Sequence, residues 1–148
     1  METVSPPIYA ALLGGVLLCL QIILMLTVGT YRSGSGKGAG VAEDMTLERL
    51  VRRHGNLAEN AAIFVTVLAL YELLFGQTWI ALIVGLAFFL ARSLHAFAFT
   101  SNSGSHLVGA RGAGKKFILM RVSGALLTAV SSLALGVSLI ISVLLNWG

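Results

Sequence analysis

Long uninterrupted apolar runs alternate with short polar ones along the chain, and the runs outlast any soluble helix face. Four of them stand out, at about 7–28, 47–75, 79–99 and 117–145. Each is long enough to cross a hydrocarbon core of about 30 Å as a helix. They are too long and too evenly apolar for barrel strands, and backbone groups in lipid must bond within the helix. The second run has a polar lead-in from Thr46, and its fully apolar part begins near Leu57. The pattern predicts an all-α membrane protein, a single domain over 1–148, built as an up-down-up-down bundle of four transmembrane helices.

The connections differ in kind. Gly76, Gln77 and Thr78 alone separate the second and third runs, which predicts a tight helical hairpin. "YRSGSGKGAG" and "TSNSGSHLVGARGAGKK" are Gly- and Ser-rich, the composition of flexible linkers. Gly36-Lys37 invites comparison with a phosphate-binding loop. The comparison fails, because Gly38 follows where Ser or Thr is required and Tyr31 occupies the first Gly position. At the start of the chain, Pro6 and Pro7 suit a first helical turn, with Ser5 as its cap. Glu2 is the only charge before Arg32, so the first run reads as a membrane span and not as a secretory signal.

Composition agrees: 57% of residues are hydrophobic and 11% charged, against about 25% charged in ordinary soluble domains. The formal net charge is +4. The bases form no dense strip interleaved with aromatics, which argues against nucleic acid as a partner. They fall instead in two groups: Arg32, Lys37, Arg49, Arg52 and Arg53 around the first loop, and Arg92, Arg111, Lys115, Lys116 and Arg121 around the third. The positive-inside rule then places both loops in the cytoplasm and both termini on the non-cytoplasmic side. Trp79 and Trp147 fall at the outer interface, while Arg49, Arg53, Lys115 and Lys116 are expected to reach lipid headgroups. The lone Cys19 allows no internal disulfide and reads as a small packing residue. Small residues spaced by four (Gly124, Thr128, Ser132 and Gly136 in the last span, Ala11, Gly15 and Cys19 in the first) predict close helix–helix seams.

One stretch breaks the apolar pattern. In "RRHGNLAEN", Arg52, Asn56 and Glu59 stand at i, i+4 and i+7, on one helical face, with Asn60 bordering it. The third span answers with Arg92, His95 and Phe99, and the fourth with Arg121. A charge inside a bilayer is costly and normally faces protein or a water-filled cavity. Two readings of this polar layer stand side by side. In one it is a structural network, with Glu59 neutralised by Arg52 or Arg92. In the other, three arginines outnumber one acid, and the surplus invites a small anionic ligand, because the guanidinium fork matches a carboxylate. A proton-coupled transporter would want an acid at mid-span, and Glu59 and Glu72 both lie towards helix ends.

These residues resemble the family of membrane-associated proteins in eicosanoid and glutathione metabolism (MAPEG), which includes the microsomal glutathione transferases. Its second-helix signature, Arg-x3-Asn-x2-Glu, corresponds to Arg52, Asn56 and Glu59. Its third-helix signature corresponds to Arg92, His95 and Phe99, and its fourth-helix arginine to Arg121. The resemblance implies a homotrimer in membrane lipids, with glutathione as co-substrate in a cytoplasm-facing crevice between neighbours. It implies glutathione-binding roles for Arg52, Asn56, Glu59, Asn60, Arg92, His95 and Phe99, and a thiol-activating role for Arg121. Arg111 is the alternative for that role; Arg121 is favoured because it lies at the base of the last helix. The implied activity is a glutathione transferase or peroxidase acting on lipophilic electrophiles or hydroperoxides, of the kind used in detoxification, with no metal expected. Asn60 and Phe99 stand where several members carry Tyr, which keeps a non-catalytic lipid- or partner-binding protein of the same fold as the alternative.

Overall fold

The computed structural model describes residues 5–41, 43–100 and 114–147, which form four helices: α1 (Ile8–Ser35), α2 (Met45–Phe75), α3 (Trp79–Ala98) and α4 (Gly114–Trp147). All four are long and apolar enough to cross a membrane. Contacts between named residues set the arrangement. Tyr9 at the start of α1 meets Glu72 at the end of α2. Phe64 of α2 stacks on Phe88 of α3 with ring centroids 3.8 Å apart, and Arg92 of α3 meets Thr128 of α4. Each helix therefore runs antiparallel to the next. The segment 101–113 that joins α3 to α4, and with it Arg111, lies outside the described residues, as does the side chain of Trp147.

Helix ends follow local chemistry rather than the edges of the apolar runs. α1 continues to Ser35, well past the predicted 28, because apolar length sets the span of lipid and not the end of the helix. It stops where Gly36 takes a left-handed conformation (φ 66°) and the Lys37 amide closes back on the Arg32 carbonyl at 3.1 Å. The first half of the supposed linker, Tyr31 to Ser35, is thus helical.

α2 begins at Asp44. One carboxylate oxygen accepts from the amides of Thr46 (2.9 Å) and Leu47 (3.1 Å), satisfying two orphan donors of the first turn. The other accepts from the Tyr31 hydroxyl at 2.9 Å and pairs with Lys37. One side chain thereby caps α2 and ties it to the end of α1. The Lys37 ammonium, with the Leu47 amide next, holds the Asp44 carboxyl well below the ordinary carboxylate range.

The start of α1 corrects the expected Ser5 cap. Its cap residue is Pro7, with no side-chain hydrogen bond. The amides of Tyr9 and Ala10 instead donate to Glu72 Oε1 (3.0 Å) and Oε2 (2.7 Å). Glu72 is fully buried. An acid near the C-terminal end of a lipid-spanning helix is therefore a cap supplied by the neighbouring helix, placed where the N-terminal end of the α1 dipole favours negative charge.

The core gathers Leu13, Leu17 and Leu24 of α1 with Phe64 and Leu68 of α2, Val84 and Phe88 of α3, and Leu135 of α4. Leu12, Val16, Ile63, Ile83, Leu126 and Leu133 are exposed on the outer faces, as lipid contact requires. Trp79, at the start of α3, is 77% exposed.

Both small-residue stripes need correction. On α4 the buried seam runs Gly124, Thr128, Ser131 and Leu135, while Ser132 is exposed. A strict spacing of four advances about 40° per step around a helix of 3.6 residues per turn, so two steps carry the stripe off its contact. On α1, Ala11, Gly15 and Cys19 face no helix of the same chain. The close approach there belongs to Gly14, where a Cβ would lie 3.1 Å from Val65.

Two outcomes follow. Glu72→Ala leaves one buried and one partly buried amide without an acceptor and is expected to cost about 1–3 kcal/mol, with Glu72→Gln costing less; unfolding in detergent measures both. Asp44 has a depressed folded-state pKa, so its contribution is complete above its unfolded value of about 3.9 and is lost as pH falls through the folded value. Exchange protection of the Thr46 and Leu47 amides should accordingly hold between pH 7 and pH 5 in the native chain, and should already be weakened at pH 7 in Asp44→Ala.

Candidate functional site

α2, α3 and α4 meet in a polar layer toward the end of the bundle that carries the α1–α2 loop. Arg92, on the inner face of α3, is 2% exposed. Its Nη2 donates to Asn56 Oδ1 of α2 at 3.0 Å, and its Nη1 to Thr128 Oγ1 of α4 at 3.2 Å. The Thr128 hydroxyl donates its own proton to the Gly124 carbonyl at 2.8 Å, which leaves its lone pairs for the guanidinium. Both of these Arg92 partners are neutral. Arg92 Nε is buried and has no hydrogen-bond partner. Among the described residues no carboxylate pairs with Arg92.

Gly124 makes this layer possible. A Cβ there would lie 2.9 Å from the Ala91 carbonyl oxygen and 3.0 Å from the His95 amide nitrogen. α3 and α4 therefore touch backbone to backbone, the close approach that small residues permit in lipid. One turn along α3 from Arg92, His95 is 5% exposed, and its ring lies 4.9 Å from that of Phe99. His95 Nδ1 is buried and unpartnered. Arg92 and Arg121 both lie within electrostatic reach of the His95 ring. Arg121 is half-buried and engaged with its surroundings.

The second-helix signature divides between two directions. Asn56 turns inward to Arg92. Arg52 is exposed, and its Nε bonds Glu48 Oε1 at 2.8 Å, one turn back on the same helix. Glu59 is exposed as well, its carboxylate over Gly55, and it pairs with no cation among the described residues. Neither Arg52 nor Arg92 neutralises it, contrary to the structural-network reading. With Arg52 taken as the origin of a helical wheel, Glu59 falls at about −20° and Asn56 at about +40°. Asn56 is thus the member nearest α3. Asn60 spends its Nδ2 on the Asn56 carbonyl of its own helix at 2.8 Å.

Asn56, Arg92, His95, Phe99 and Arg121 accordingly gather around one layer, while Arg52, Glu59 and Asn60 lie beside it on the open side of α2. Sequence reasoning placed Thr128 only in a stripe of small residues and missed it as an acceptor for Arg92. It also missed the Glu48–Arg52 pair, although the i, i+4 spacing was there to be read. Among the described residues no three His, Cys, Asp or Glu side chains converge on a common point. The layer holds cationic and neutral polar side chains, and among the described residues no carboxylate pairs with its Arg92.

The model of the MAPEG family matches residues 9–143, a stretch that includes every residue of this layer. No curated protein matches the chain.

Because the layer depends on the α3–α4 contact, Gly124→Ala tests it directly. The added methyl collides with backbone, which cannot rotate away, and is expected to cost about 1–3 kcal/mol as overpacking. Detergent unfolding measures the loss. The same substitution should lower the affinity of any anion bound beside Arg92.

Proposed function

Given that the chain belongs to the MAPEG family, we propose that it is a glutathione-dependent membrane transferase or peroxidase. The observation that carries this reading is the buried Arg92, held by two neutral acceptors with Nε unused, beside Arg121 and the unpartnered His95 Nδ1. A cationic crevice short of carboxylates favours a ligand that brings them, and glutathione brings two, with one ammonium and a thiol. Arg92 and Arg52 would take its carboxylates, Glu59 its ammonium, and Asn56, Asn60, His95 and Phe99 would line it.

Arg52 and Glu59 face away from the chain's own bundle. The reading therefore includes a homotrimer in which a neighbouring copy covers this face of α2 and closes the crevice. The concentration of Lys and Arg around the two loops supports a crevice that opens to the cytoplasm.

The chemistry rests on Arg121. A free thiol has a pKa near 8.5, and an adjacent guanidinium stabilises the thiolate. The thiolate attacks a lipophilic electrophile dissolved in the bilayer. With an aryl halide the C–S bond forms and halide leaves. With a hydroperoxide the sulfur takes one oxygen, and the alcohol leaves. A second glutathione then reduces the sulfenic acid, giving the disulfide and water. A second reading, a binding protein without turnover, draws on Asn60 and Phe99, which lack the hydroxyls a tyrosine would supply.

Purified protein mixed with glutathione and a hydrophobic aryl halide should show thiolate absorbance and conjugate formation. Arg121→Ala should lower turnover by about 10²-fold or more, as expected for loss of an electrostatic stabiliser, while binding measured by calorimetry is largely kept. Arg92→Gln should weaken binding instead. Binding without turnover in the unaltered protein selects the second reading, and absence of binding removes both.

A further inference from the structure

Two arginines in this chain lack what their neighbours have. On the lead-in of α2, each acid near them is either committed elsewhere or apart. Asp44 is held by Lys37 and Tyr31. Glu48 pairs with Arg52. Glu43 is exposed and forms no ion pair among the described residues. Arg49 and Arg53 stand at i, i+4 on one face, close enough to repel one another. Both are partly buried, and the Nε of each is buried without a hydrogen-bond partner. Arg49 spends one Nη1 on the Phe99 carbonyl at 2.7 Å, and Arg53 makes no hydrogen bond among the described residues. Two like charges held side by side, each with its Nε sheltered from water and unpartnered, favour an anion lying across them.

Their depth says which anion. α3 has 20 residues, about 30 Å of helix, which equals the thickness of a hydrocarbon core. Phe99, one residue past its end, therefore lies at the edge of that core, and Arg49 is hydrogen-bonded to its carbonyl. Along α2, Arg49 and Arg53 lie about 10 and 4.5 Å from Asn56 toward the loop; Arg49 stands at the core edge and Arg53 about 6 Å inside it, from where a guanidinium reaches lipid phosphates by snorkelling. Basic pockets between transmembrane helices at this level bind anionic headgroups. We propose that Arg49 and Arg53 form a site for the phosphate of an anionic phospholipid, separate from the Arg92 layer. The phosphodiester bridges the two guanidinium groups, relieves their repulsion and fastens the start of α2 to the end of α3. This site does not depend on the glutathione reading.

Native mass spectrometry of the detergent-solubilised protein tests it, with phosphatidylglycerol and phosphatidylcholine of the same acyl chains. The expected result is selective retention of phosphatidylglycerol that excess inorganic phosphate or glutathione does not displace. Arg53→Gln should weaken retention at least about fivefold, the scale of one arginine at a membrane surface. Lys115→Gln with Lys116→Gln, which removes more charge from the exposed start of α4, should weaken it less. Equal retention of the two lipids overturns the proposal, as does a loss in the lysine pair as large as in Arg53→Gln. Displacement by inorganic phosphate would make free phosphate the ligand, and displacement by glutathione would assign both arginines to the crevice; either overturns the lipid site. The selectivity and competition arms use the unaltered chain and do not depend on how well the variant folds.

Discussion

A guanidinium buried among three helices, with neutral partners only, imposes conditions on everything around it. Desolvating Arg92 is expensive, and the hydrogen bonds from its charged fork to neutral acceptors return about 1.5–3 kcal/mol each only if the geometry holds. Asn56 must present its carbonyl oxygen from α2, and Thr128 its hydroxyl from α4. Thr128 reaches Arg92 because Gly124, one turn away, lets α4 rest on the backbone of α3. Removing any one of these leaves a buried charge or a buried acceptor unsatisfied. The layer thus works as a register pin: it sets how far α2, α3 and α4 slide against one another, which generic Leu and Val contacts do not.

The opposite end of the bundle meets the same demand with the sign reversed. There the unsatisfied groups are the first amides of α1, and the buried acid Glu72 supplies what Pro7 cannot. In lipid no water is present to take up orphan backbone groups, so the cap comes from the neighbouring helix. α1 and α2 are therefore fastened at both ends, by Glu72 at one and by Asp44 with Tyr31 and Lys37 at the other. Between these fasteners the helix pair is held by apolar side chains.

Four spans, their order and the polar layer were legible in the sequence because each rests on a strong local signal. Apolar length reports the spans, and charges inside apolar runs report the layer. What was not legible depends on contacts between distant residues. Nothing near Tyr9 announces that its amide will be capped by Glu72 from 63 positions away. The α4 seam drifted from Ser132 to Ser131 because a stripe of constant spacing is not a stripe on a 3.6-residue helix. The Arg-Asn-Glu spacing correctly put three residues on one side of α2, but a helix face is wide. Only a partner's position decides that Asn56 turns inward while Arg52 and Glu59 stay outside.

That division bears on how the chain exists in a membrane. Arg52 can lean toward the aqueous loop and has Glu48 beside it. Glu59 lies seven residues deeper, about 10 Å along the helix, among exposed Ala58, Ala62 and Ile63. An ionised carboxylate facing hydrocarbon at that depth costs up to about 2.5–3.5 kcal/mol, and nothing in the chain's own described residues offsets it. The same helix buries Asn56 against Arg92 and so cannot rotate to shelter Glu59. Holding Arg92 in place and exposing Glu59 are consequently one structural decision. An α2 surface with this pattern favours a polar environment over bare hydrocarbon. The internal pin and the outward-facing acid are thus coupled: the contact that places Arg92 also fixes which surface Glu59 presents.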